Sequence, residues 1–191
     1  MTILYSPTDE RTVRGLRAGD TVYLSGTIIT GRDEMHMRAL SVKKGEAPKI
    51  LNGATLFHCG PIVQRDGKGW KIIAAGPTTS ARMNGMQAEM IERYGIRAVI
   101  GKGGMSGDVL EAMKKHGCVY LAAVGGAAVS LAEGLNEVKG VEWEDLGMAE
   151  AMWIFDAKRF GPLTVAMDAH GNSIYDGVRQ KVNGTLRKFQ S

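Results

Sequence analysis

The chain has 191 residues, 44% hydrophobic and 23% charged, with a formal net charge of +4 at pH 7. That length suits one domain, residues 1–191, able to bury roughly 70% of its unfolded surface, with the composition of an ordinary soluble protein. Acidic and basic residues are mixed throughout, and no Lys/Arg run is interleaved with aromatics, which excludes a nucleic-acid face and leaves an excess able to steer small anions.

No stretch approaches the ~18 consecutive apolar residues of a membrane span, and the N-terminus lacks a signal-peptide pattern. Cys59 and Cys118 are too few for a disulfide framework, which points to the reducing cytoplasm.

In chain order, residues 3–5 read as a short strand, followed by a polar turn. Residues 21–30 are rich in β-branched and aromatic side chains and predict a long strand, with Gly26 marking a bulge or a close backbone approach. Gly31-Arg32-Asp33 ends it, with Asp33 suited to cap a helix running through Met35, His36, Ala39, Leu40 and Lys43. Residues 56–63 predict another strand, carrying His58, Cys59 and Gly60-Pro61. Asp66-Gly67 predicts a hairpin turn into a buried strand at 72–75, which Gly76-Pro77 stops.

Three hydroxyls, Thr78, Thr79 and Ser80, then offer N-cap chemistry to a helix with Met83, Met86, Met90, Ile91 and Tyr94 on one stripe. Gly95 closes this helix, and a buried strand at 97–100 delivers Gly101-Lys102-Gly103-Gly104. Ser106 opens a helix that Gly117 closes, with Val109, Leu110 and Met113 facing inward. An apolar strand at 118–124, a short helix at 127–133 and a strand near 138–143 follow. Residues 146–158 fit either a short helix or a strand. A strand at 163–167 leads into Asp168-Ala169-His170-Gly171-Asn172, and a polar, helical tail covers 173–191. Alternating strands and helices give a mixed α/β class.

Three strand ends thus each present a cation: Arg32, Arg82 and Lys102. With the nearby hydroxyls and helix N–H groups they outline a pocket for a small anion. The plainer reading is ordinary capping and solvated charge, with Arg32 and Asp33 paired locally for ~0–1 kcal/mol. His36 reads as a packed, hydrogen-bonded residue rather than a base. Cys59 has no activating neighbour and reads as a small buried hydrophobe. Gly101-Lys102 misses the phosphate-loop spacing and the dinucleotide fingerprint. Asp168 and His170 in a glycine-bounded turn suggest local hydrogen bonds more than metal ligation.

Gly76-Pro77-Thr78-Thr79-Ser80-Ala81-Arg82-Met83 and Gly101-Lys102-Gly103-Gly104-Met105 resemble the beta subunit of the iron-sulfur (class I) fumarate hydratases and their sister L(+)-tartrate dehydratases. The resemblance extends through Gly31-Arg32-Asp33-Glu34-Met35-His36, His58-Cys59-Gly60-Pro61, Leu146-Gly147-Met148-Ala149-Glu150-Ala151-Met152-Trp153 and Asp168-Ala169-His170-Gly171-Asn172. It implies a swivelling β/β/α domain with a central mixed sheet, helices on one side and further β structure on the other. It also implies a hydro-lyase that interconverts fumarate and L-malate, or one that dehydrates tartrate. A stand-alone anion-binding or assembly module is the non-catalytic alternative.

Carried over position by position, the resemblance assigns Arg32, Arg82 and Lys102 to the substrate carboxylates. Thr78 falls where the family has its base toward the carbon-bound proton, a role for which an alcohol needs neighbouring cations. A four-iron cluster takes three or four thiolates, so the resemblance places it on an alpha partner subunit, in a heterotetramer, with this chain as one wall of the site.

Overall fold

The computed structural model describes residues 2–43, 45–67, 69–177 and 182. Its centre is a seven-stranded mixed sheet in the order β1-β2-β3-β6-β7-β9-β8. Strands β1 (Thr2–Ser6), β2 (Thr21–Thr30), β3 (Thr55–Phe57), β6 (Ala98–Gly101) and β7 (Val119–Ala122) pair in parallel. Strand β9 (Met152–Met167) runs antiparallel to β8 (Leu135–Glu142), β7 and β2. Because β9 pairs with both β2 and β7, the sheet closes on itself through β2, β3, β6, β7 and β9. A separate hairpin, β4 (Ile62–Asp66) and β5 (Gly69–Ala74), packs outside the circuit.

Period-two alternation decides what each strand buries. Ile28, Phe57, Ala98, Ile100, Val119 and Leu121 face one apolar cluster with Trp153, Phe155, Phe160 and Val165 of β9. Their neighbours Ile29, Leu56, Val99 and Tyr120 face a second cluster on the other side. There they meet three helices: α2 (Asp33–Ser41), α3 (Asn84–Tyr94) and α4 (Gly107–His116). The short helices α1 (Glu10–Arg14) and α5 (Ala128–Ala132) lie elsewhere on the chain. This is the expected α/β domain with a central mixed sheet and flanking helices, but the helices are not all on one side: α1 and α5 bury Val13, Leu131 and Ala132 in the first cluster, beside the β4–β5 hairpin. Among the described residues, no helix is long and apolar enough to cross a membrane.

Several local expectations change. The strand read at 56–63 breaks after Phe57 and resumes as β4, because the segment ending in Gly60-Pro61 leaves the ladder. The segment at 72–75 is the second strand of the hairpin, not a fully buried strand, and Ile73 is exposed. Residues 146–158 resolve to a 3-10 turn (Glu144–Leu146) and then strand, which runs unbroken to Met167 through pairing with β2. The helical reading of the tail is met at 174–177, and most of its remainder lies outside the described residues.

At Gly26 the backbone of β2 lies close against Ser6 of β1. The Gly26 φ is +101°, the ladder to β9 shifts register there, and an added Cβ would lie 2.0 Å from the Ser6 carbonyl oxygen. Gly26→Ala therefore combines left-handed strain with a backbone clash, and should cost about 3 kcal/mol or more. For a chain of this size that is a fall in melting temperature of about 6–12 °C. Gly53→Ala, at φ +70° with nothing within 4 Å of the new Cβ, should cost about 1 kcal/mol. Thermal melts of the two variants by circular dichroism check the ordering.

Candidate functional site

The C-terminal ends of β2, β3 and β6 lie side by side, so the segments leaving them meet at one end of the sheet. From β2 the chain passes through Gly31, whose N–H donates to the Phe57 carbonyl at 3.0 Å, into Arg32. Beyond β3, the His58 N–H donates to the Ile100 carbonyl at 2.8 Å. Segment 76–80, arriving from β5, is laced to both neighbours. The Thr78 N–H donates to the His58 carbonyl (2.7 Å), the Lys102 N–H to the Thr78 carbonyl (3.3 Å), and the Ser80 N–H to the Lys102 carbonyl (3.0 Å). Backbone hydrogen bonds, not loop chance, therefore set Thr78 beside Lys102.

Arg32 and Arg82 join this face through carboxylates from elsewhere. Arg82 Nη2 lies 2.7 Å from Asp33 Oδ2, and Arg32 Nε lies 3.2 Å from Glu150 Oε1. The expected local pairing of Arg32 with Asp33 is replaced by these two crossed pairs. Neither contact is aligned as a hydrogen bond, for Arg32 Nε and Asp33 Oδ2 are buried without one, so the attraction is mainly Coulombic. Arg82 is 51% exposed, which holds the worth of its pair to ~0–1 kcal/mol.

Capping also differs from the sequence reading. Arg32, not Asp33, is the N-cap of α2, and it offers no capping side chain. An orphan helix N–H is met instead from across the fold: Glu34 N–H donates to Glu150 Oε2 at 3.0 Å, an anion where the helix dipole favours one. The three hydroxyls do not cap either. Thr79 precedes a 3-10 turn (Ser80–Met83) without a side-chain bond, and Ser80 turns inward to the Tyr120 hydroxyl.

Arg32 and Thr78 are half-buried, whereas Arg82 and Lys102 are exposed. The four expected residues are thus brought to one open wall rather than into an enclosed pocket. Glycine is required where the wall is tightest: a Cβ on Gly60 would lie 2.8 Å from Arg32 Nη1 and 2.9 Å from the Ala149 carbonyl oxygen.

Behind the wall sit His36 and His58, both fully buried. Burial lowers the pKa of His36, and burial first, then the repulsion that two protonated neighbouring rings would feel, takes His58 down to about 3. Both rings are therefore neutral, as packed, hydrogen-bonded residues should be. Burial pushes the Cys59 thiol up to about 12, with Arg32 only partly opposing, and raises Cys118 as well. Neither is a nucleophile, and among the described residues no group of His, Cys, Asp or Glu is placed to hold a metal. Asp168 accepts from the N–H groups of Ala18, His170 and Asn172. Burial alone would raise its pKa, but those donors hold the carboxyl below its usual range.

Sequence reasoning missed Glu150, Gln87 and Tyr120 as members of this region, and read Ser80 as a cap where its hydroxyl instead meets His58 and Tyr120. One signal was available: Gln87 is a polar residue on the apolar stripe of α3, four positions after Met83.

The sequence matches the family described as Fumarase C-terminus over residues 3–178. It is 43% identical to "Putative L(+)-tartrate dehydratase subunit beta" of Methanocaldococcus jannaschii, over 99% of this chain and 98% of that one. Identity to "L(+)-tartrate dehydratase subunit beta" of Escherichia coli is 40%, over 90% of this chain and 85% of that one. Against "Putative fumarate hydratase class I" of Geobacillus stearothermophilus it is 42%, over 98% of this chain but 36% of the longer protein.

The buried histidines make stability depend on pH. In the unfolded chain His58 binds a proton below about pH 6.5, but in the folded chain only near pH 3. Its contribution is therefore complete above 6.5 and is lost as the pH falls, by about 1.4 kcal/mol per unit once well below 6.5. His36 acts in the same direction. Denaturant unfolding should weaken between pH 6.5 and 4.5, above the range where carboxylates titrate strongly, and His58→Asn should flatten part of that slope.

Proposed function

The chain belongs to the fumarase C-terminus family, and from that premise we propose that it is the beta subunit of a two-subunit hydro-lyase acting on fumarate and L-malate. One observation carries the reading: Arg32, Thr78, Arg82 and Lys102 share a face whose backbone is hydrogen-bonded together at three strand ends. Hydration of fumarate adds hydroxide at one carbon and a proton at the other, with both carboxylates held still. Arginine's planar fork suits bidentate carboxylate binding, and lysine adds a point charge. Asp33 and Glu150 each contact one nitrogen of their guanidinium, so the remaining donors can meet substrate. Thr78 hydrogen-bonds the substrate where the carbon-bound proton moves, its hydroxyl polarised by Arg82 and Lys102 when it acts as base.

The iron-sulfur cluster implied by the class I relatives does not fit this chain. Its two thiols are buried and protonated, and the described residues hold no metal-binding group. We assign the cluster, and with it the Lewis-acid handling of the hydroxyl, to the alpha subunit that the name "subunit beta" of the relatives implies. The pair would assemble two-plus-two in the cytoplasm, with this wall covered by alpha. Tartrate dehydration is the second reading, favoured by the names of two relatives. It uses the same carboxylate clamps, and the two differ in how the pocket treats one extra hydroxyl.

Purified alone, the chain should show no iron-sulfur absorbance and no activity, and together with its alpha subunit it should show both. In the anaerobically handled pair, Arg82→Ala and Lys102→Ala should each lower kcat/KM about 10–150-fold, the worth of a charge-assisted hydrogen bond of roughly 1.5–3 kcal/mol. Arg82→Lys should recover only part, and Cys59→Ala should keep most activity. Fumarate hydration compared with tartrate dehydration by the same pair decides the substrate. Normal kinetics for both cation variants would move the site elsewhere.

A further inference from the structure

Directly behind the wall, a line of polar side chains crosses the core without reaching solvent. His36, on α2, sets its Nδ1 2.6 Å from the Arg32 carbonyl oxygen. Its Nε2 lies 3.0 Å from the Oε1 position of the Gln87 amide on α3, and His58 Nε2 lies 2.9 Å from that same position. His58 Nδ1 is 2.8 Å from Ser80 Oγ, to which the Tyr120 hydroxyl of β7 donates at 2.9 Å. All five side chains are wholly buried, with relative exposure of 0%.

The chemistry fixes the direction of these bonds. A carbonyl only accepts, so His36 Nδ1 carries the hydrogen. Burial keeps the ring neutral, so His36 Nε2 must accept, and the amide group facing it must be the –NH2 of Gln87. A half-turn of the amide, which moves no heavy-atom position, provides that. One –NH2 carries two hydrogens, one for each imidazole, and His58 is then free to donate from Nδ1 to Ser80. The same turn relieves the second amide position, which has no partner, of holding an unpaired donor.

The line ties together the three segments that form the wall. His36 holds the Arg32 backbone, Ser80 lies between Thr78 and Arg82, the Ser80 N–H donates to the Lys102 carbonyl, and the Thr78 carbonyl accepts from the Lys102 N–H. Space for it is reserved at the third segment: a Cβ on Gly101 would lie 1.9 Å from Ser80 Oγ and 3.0 Å from the Tyr120 hydroxyl. Five apolar side chains would fill this volume without desolvating any polar group, so stability alone does not call for the network.

We propose that His36, Gln87, His58, Ser80 and Tyr120 are positioning residues that set Arg32, Thr78, Arg82 and Lys102 relative to one another, with Gln87 as the central member. The proposal rests on assigning those four wall residues to substrate. Gln87 touches none of them and acts through the segments that carry them.

The test is steady-state kinetics on the enzyme assembled with its alpha subunit, for Gln87→Met, Lys102→Ala and the double variant, with Tyr120→Phe as a milder deletion. Gln87→Met should lower kcat at least tenfold and raise KM several-fold, because misplaced clamps weaken substrate binding and weaken the transition state more. In the double variant the losses in kcat/KM should be clearly less than the product of the single losses, the mark of groups acting as one unit. Tyr120→Phe should show the same pattern at a few-fold, and it decides alone if Gln87→Met does not assemble. Lower kcat with KM unchanged and losses that multiply would mean only that less enzyme is folded, and would overturn the proposal. So would normal kinetics for an assembled Gln87→Met or Tyr120→Phe. Failure of the site assignment reads differently: Lys102→Ala alone would then behave as the parent.

Discussion

The structure depends first on the antiparallel pairing of β9 with β2. Sixteen residues of β9 run alongside β2 on one edge and along β8 and then β7 on the other, with register shifts that let the strand bend. Without that pairing the parallel strands would form an open sheet with two edges, and β2 would leave its hydrogen-bonding groups at one of them. With it, the sheet curls shut, and the large side chains of β9, Trp153, Phe155 and Phe160, fill the interior opposite Ile28, Phe57 and Ile100. The C-terminal ends of β2, β3 and β6 meet because these neighbouring strands pair in parallel, which is the geometric origin of the wall.

Convergence alone would deliver three loops of arbitrary shape. What makes them a single surface is that segment 76–80 satisfies its backbone groups on the extensions of β3 and β6 rather than on water. Backbone bonding is indifferent to side-chain identity, so Thr78 and Lys102 are free to carry chemistry while their main chains carry structure. The arginines are held differently. Arg32 and Arg82 rest against Glu150 and Asp33 in contacts that are electrostatic rather than directional, which keeps each guanidinium in place yet leaves donors for a ligand.

Charge and neutrality are arranged in two layers. The outer layer carries the arginines and Lys102, and the inner layer is polar but uncharged, since burial removes the proton from His36 and His58. A charged imidazole behind the arginines would repel them and bring an uncompensated charge into an apolar cluster that includes Tyr120 and Leu56. The cysteines follow the same logic, held protonated by burial and so excluded from the chemistry.

The sequence by itself determined the elements whose periodicity is local: β2 at its full length, the apolar stripe of α3, and the glycine closures at Gly95 and Gly117. Where neighbours in sequence decide the outcome, local pattern suffices. Tertiary structure alone decided the rest. Asp33 looked like a cap because Asp favours that place, but Arg82, 49 residues away, claimed its carboxylate, and Glu150 took over a helix N–H. Residues 152–167 became one strand despite Gly161-Pro162, because β2 paired with both halves. Ser80 lost its capping role to Tyr120 and His58, which only folding brings within reach. Hydrogen bonds and ion pairs between distant segments leave no period in the sequence, so their partners are fixed by the fold and not by spacing.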